Sequence, residues 1–70
     1  MPENSKKLTK RELQVAQLVA QGLKYKEIAS SLGLGYETVK TYATRVRRKL
    51  GVNSKVGIAM WAMKQENNDA

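Results

Sequence analysis

"KYKEIASSLGLGYETVKTYATRVRRKL", Lys24–Leu50, carries two helical patterns separated by a pair of glycines. In the first, Ile28, Ala29 and Leu32 share one side and predict a helix over about 24–32. Gly33-Leu34-Gly35 then makes a tight connection, with Gly35 a serviceable N-cap for the next helix. In the second pattern Val39, Ala43, Val46 and Leu50 recur at helical spacing, predicting a helix over about 36–49 that Gly51 stops. The outer face of that helix holds Lys40, Thr41, Thr44, Arg45, Arg47 and Arg48, opposed by Glu37 alone. A short helix, a glycine turn and a longer basic helix read as a helix-turn-helix.

Upstream, "LTKREL" at Leu8–Leu13 has the marks of a helix start: Thr9 as N-cap, Glu12 at N3 to complete a capping box, and Leu8 with Leu13 as a hydrophobic staple. Leu13, Ala16 and Ala20, flanked by Val15, Leu18 and Val19, give a broad apolar side, and Gly22 closes a helix over about 10–21. Downstream, "VNSKVGIAMWAMKQ" predicts a fourth helix capped by Asn53 or Ser54. Ile58, Ala59, Ala62 and Met63 form its expected core stripe. Val56, Met60 and Trp61 form a second stripe facing outward, with Gly57 allowing another backbone to approach. The fold class is therefore all-α, a four-helix helix-turn-helix domain over 8–64, with polar, flexible tails at 1–7 and 65–70.

Seventy residues make one small domain. With no cysteine and no histidine, disulfides and the usual zinc ligand sets are excluded. No paired-carboxylate site or phosphate-binding glycine loop occurs, so no catalytic, cofactor-binding or metal-ligating residue is assigned, and a non-enzymatic protein is expected. Thirteen Lys or Arg against six acids give a net charge of +7, which draws the chain to polyanions. A membrane surface fits poorly, because the basic face has no exposed apolar counterpart. No apolar run approaches a membrane span and the N-terminus has no hydrophobic signal region, so a cytoplasmic protein is the simplest reading.

A helix that enters a major groove needs short or flexible polar groups near its N-terminal half and cations on its flanks. Glu37, Lys40, Thr41 and Thr44 fit the first zone, as base contacts. Arg45, Arg47, Arg48 and Lys49 fit the second, as phosphate contacts. Charge runs are often just solvated faces, and here the preceding glycine turn and the net charge weigh against that. Tyr25 and Tyr42 read either as phosphate-contacting hydroxyls or as half-buried packing residues.

Taken together these residues carry a pattern. Leu8-Thr9, Arg11-Glu12, Gly22, Lys26-Glu27-Ile28-Ala29, Thr38-Val39-Lys40 and Lys49-Leu50-Gly51-Val52 resemble the hallmarks of the DNA-binding domain of LuxR/FixJ/GerE-type transcriptional regulators, over about Leu8 to Met63. The resemblance implies a four-helix domain that binds double-stranded DNA as a homodimer, commonly through its fourth helix, in a bacterial cytoplasm. RNA polymerase is a further expected partner, and no small-molecule ligand is expected within this chain. It implies base contacts for Lys40, Thr41 and Thr44. Met1 and the polar C-terminus are those expected of a stand-alone GerE-like regulator; an excised output domain would look the same.

Three positions depart from the family pattern. Lys24 replaces the serine or threonine that caps helix two, Gly35 the serine that opens helix three, and Tyr42 a histidine. The last excludes a His-linked pH response there.

Expected phosphate contacts thus comprise Lys24, Tyr25, Lys26, Thr38, Tyr42, Arg45, Arg47, Arg48 and Lys49, and the expected dimer interface comprises Val56, Gly57, Met60, Trp61 and Lys64. "GLKYKEIASSLGLGYETVK" is also similar to region four of bacterial sigma factors, a promoter-binding module, but that region generally ends near Leu50 and lacks a fourth helix. A basic helical module for an acidic protein partner is the remaining alternative.

Overall fold

The computed structural model describes residues 7–69, and the side chains among them as far as Gln65. Four helices succeed one another: α1 (Lys10–Ala20), α2 (Tyr25–Leu32), α3 (Tyr36–Leu50) and α4 (Lys55–Asp69). Each predicted boundary of the first three lies within one residue of these. The tail expected at 65–70 differs, since α4 continues as helix through Asp69. Residues 1–6 and 70, which fall within the expected tails, lie outside the described residues.

Helix starts and stops reflect local chemistry. At α1 the Thr9 hydroxyl accepts from the Glu12 N–H at 3.2 Å, and the Glu12 carboxylate accepts from the Thr9 N–H at 2.9 Å, closing the capping box. At α4 the cap is Ser54, whose hydroxyl accepts from the Gly57 N–H at 3.3 Å. The three inner helix ends share one device. Leu23, Leu34 and Val52 each donate an N–H back to a carbonyl five residues earlier (Leu18, Ala29 and Arg47). This is the Schellman closure, whose turning residue adopts the left-handed conformation that favours glycine. Gly33 at φ 69° and Gly51 at φ 71° occupy that place. The residue after each glycine is apolar and folds back onto the core.

The core is built from Val15, Ala16 and Val19 of α1, Ile28 and Ala29 of α2, Val39, Ala43 and Val46 of α3, and Ile58 and Ala62 of α4. Helices α1 and α3 each pack against all three others, and they keep α2 and α4 apart. The expected inward stripes of α2 and α3 are the observed ones, whereas in α1 the inward line is Val15, Ala16 and Val19, with the expected Leu13 and Ala20 only half-buried. In α4 the phase differs from expectation. Trp61, expected outside, packs against the core, and Met63, expected inside, is 55 % exposed. At 100° per residue the inward line centres between Ile58 and Ala62, with Trp61 on its flank. That rotation gathers Val56, Met60 and Met63 within about 60° on the opposite side.

Gly57 is also corrected. A Cβ on Gly57 would lie 2.6 Å from Val52 Cβ, so the close approach that its small size allows is to Val52 of the same chain.

Candidate nucleic-acid interface

The packing of Val39, Ala43 and Val46 fixes which side of α3 faces solvent. Glu37, Thr38, Lys40, Thr41, Arg45 and Arg48 are exposed, and Thr44 and Arg47 half-buried. At the start of this face Lys40 lies between two neighbours. Its ammonium is 3.9 Å from a Glu37 carboxylate oxygen and 5.4 Å from the centre of the Tyr36 ring. The Thr41 and Thr44 hydroxyls donate to the Glu37 and Lys40 carbonyls at 3.1 and 3.0 Å. With their protons so used, these threonines offer a methyl group and oxygen lone pairs outward.

The α2 flank contributes Lys24 and Lys26, both exposed. Glu27 accepts from the Lys24 N–H at 2.7 Å, while the lysine side chain has no acceptor to return. The start of α3 is likewise without a side-chain cap, because Gly35 has none to give. Both helices of the motif therefore begin with N–H groups that no capping side chain fills, a setting that favours anions.

Tyr25 and Tyr42 are both half-buried and packed against the core. The Tyr25 hydroxyl accepts from the Arg47 guanidinium at 3.4 Å, and the same guanidinium reaches Thr44 Oγ1 at 3.4 Å. The Lys55 ammonium stands 4.6 Å over the Tyr25 ring, so this tyrosine joins α2, α3 and the start of α4. Sequence reading missed Lys55, because nothing local marks a lysine for an aromatic face thirty residues away.

Lys49 departs most from its expected role. Its ammonium donates to Glu12 Oε1 at 2.8 Å and to the Lys7 carbonyl at 3.3 Å, instead of standing free on the outer face. Glu12 is only 2 % exposed, the one buried charged residue among those described. Burial pushes its carboxyl up. The Lys49 ammonium and the Thr9 N–H pull it down, and the net position is below the usual carboxylate range. The capping spacing revealed Glu12, but no sequence signal tied it to Lys49.

The chain matches the model of bacterial regulatory proteins of the luxR family (GerE) over residues 6–62. It belongs to the LuxR family. This LuxR-type domain is 50 % identical over 52 residues to the transcriptional regulatory protein UhpA of Escherichia coli (strain K12), covering 74 % of this chain and 26 % of that protein. It is 51 % identical over 49 residues to the transcription regulator BvgA of Bordetella pertussis, covering 70 % of this chain and 23 % of the regulator. It is 39 % identical over 59 residues to the oxygen regulatory protein NreC of Staphylococcus aureus (strain JH9), covering 84 % of this chain and 27 % of the relative. The chain spans about a quarter of the length of these relatives.

DNA-binding transcription regulation is thus the function class of the LuxR-type domain, a class that is not typically enzymatic. The match runs into α4, the helix that separates this family from the sigma-like alternative. No helix among the described residues is long and apolar enough to cross a membrane.

Proposed function

We propose that the chain binds DNA sequence-specifically in the bacterial cytoplasm, with α3 in the major groove and two copies joined through α4. The observation that carries the reading is the division of α3. One face is fully packed, and the other presents Glu37, Lys40, Thr41 and Thr44 toward the N-terminal half with Arg45 and Arg48 beyond. The first four meet base edges and the arginines meet phosphates. Lys24, Lys26 and Thr38 extend the phosphate track, aided by the unfilled N–H groups at the starts of α2 and α3. Tyr25, Tyr42 and Arg47 act from half-buried positions, and Lys49 has one N–H left after its two internal bonds.

The dimer face is the exposed line of Val56, Met60 and Met63 with Lys64 at its edge. Trp61 backs this line from the core side, and Gly57 sets the approach of Val52 that supports it. Bound upstream of a promoter, such a dimer would meet RNA polymerase.

Selection from random duplex DNA, followed by titration across salt, tests the reading. Lys40→Ala is expected to lose roughly 1–3 kcal/mol and relax preference at one base position. Arg48→Ala is expected to weaken all sequences alike and lower the salt slope by about one. A change of preferred site by Arg48→Ala with the slope intact would overturn the assignment of zones.

A further inference from the structure

Tyr36 was given no role by its sequence, yet it is an exposed aromatic at the first position of α3, 45 % open to solvent. Its ring lies beneath the Lys40 ammonium at 5.4 Å, and Glu37 flanks the same ammonium at 3.9 Å. Three features of the reading face thus converge on one point: an aromatic surface, a donor and an acceptor.

We propose that Tyr36, Glu37 and Lys40 form a preset reader of a single G·C pair. The inference rests on the reading that α3 enters the major groove. On its groove edge a G·C pair presents guanine N7 and O6 side by side as acceptors, then the cytosine N4 amine as donor. Lys40 supplies the cation for the two guanine acceptors. Glu37, one turn back on the same face, accepts from the cytosine amine. A donor and a carboxylate held 3.9 Å apart match that edge, in which acceptor and donor are themselves neighbours. An A·T pair lacks two adjacent acceptors and sets a thymine methyl against the charges.

Glu37 does more than attract. Near the phosphates of DNA a carboxylate without a partner is repelled and desolvated, so any pair lacking an amine at that point is penalised. Tyr36 is a positioning residue. It takes no base itself, and its ring confines a long flexible side chain before binding, which cuts the entropy lost on contact. The three side chains are exposed, so substitutions there leave the core packing as it is.

The test uses the 70-residue chain and the half-site it selects from random duplex DNA. Two modified duplexes are compared with the parent: 7-deazaguanine, which lacks N7, and N4-methylcytosine, which blocks the groove-facing amine hydrogen. Wild type is expected to lose roughly tenfold on either at one and the same base pair. Glu37→Ala should become indifferent to the cytosine methyl while still sensing 7-deazaguanine, and Lys40→Ala should show the reverse. Tyr36→Leu should lower the preference for G·C over A·T several-fold, and Tyr36→Phe, which keeps the ring, should retain it. A selected site with no such position, or Glu37→Ala as sensitive to N4-methylcytosine as wild type, would overturn the inference and leave groove reading by α3 standing. Failure to select any site would overturn both.

Discussion

Glu12 is buried at the junction of α1 and α3, where a carboxylate costs several kcal/mol unless it is paired and hydrogen-bonded. Lys49 and the Thr9 N–H provide both. Because its folded-state titration lies below the usual carboxylate value, Glu12 contributes stability that is present above about pH 4.5 and is lost as pH falls through the folded value. Unfolding by urea at a series of pH values is expected to show that acid-side loss, and Glu12→Gln to flatten it. Lys49→Met leaves the carboxylate buried beside Thr9 alone, at an expected cost on the order of 3 kcal/mol at pH 7. A loss below about 0.5 kcal/mol would show the pair to behave like an exposed one. The sequence made the Thr9–Glu12 half of this arrangement legible, because capping acts over three residues. The Lys49 half spans 37 residues and depends on how α3 lies across α1, which local pattern does not encode.

Helices α1 to α3 were readable for a related reason. Their starts and ends are decided within a few residues, by Thr9, by the left-handed glycines and by the apolar residue next to each of them. Helix α4 was readable in place but not in phase. Its segment from Val56 to Met63 is apolar nearly all round, so periodicity alone allowed either Trp61 or Met63 inside. Packing decided for the tryptophan, which lies against the core while Met63 faces out. The Val52–Gly57 contact belongs to this scale as well. Gly57→Ala would gain about 1 kcal/mol in helix propensity. It would also drive a Cβ to 2.6 Å from Val52 Cβ, an atom fixed to the backbone of the α3–α4 turn. Overpacking of that kind typically costs about 1–3 kcal/mol. The expected net result is a lower denaturation midpoint with α3 and α4 pushed apart, and an unchanged or raised midpoint would contradict the contact.

At the scale of the molecule, α1 braces all three other helices while leaving the outer faces of α3 and α4 uncovered. Val56 and Met60, 66 % and 64 % exposed, extend the second of those faces beyond what a small monomer needs to show water. If that face joins two copies, Met60→Glu should leave the helical circular dichroism and melting curve of the domain unchanged. Binding to a duplex with two half-sites should weaken at least tenfold, and binding to a single half-site should hardly change. Equal losses on the two duplexes would remove α4 from the interface. The division of α3 has its own consequence for descent. Positions 39, 43 and 46 are closed to solvent and committed to the fold, whereas 37, 40 and 41 bear on nothing inside it. If the second set reads bases, as proposed, mutation there changes which DNA is chosen without endangering the chain that chooses. A duplicated copy of this domain is therefore free to drift to a new target in single steps, each of them folded.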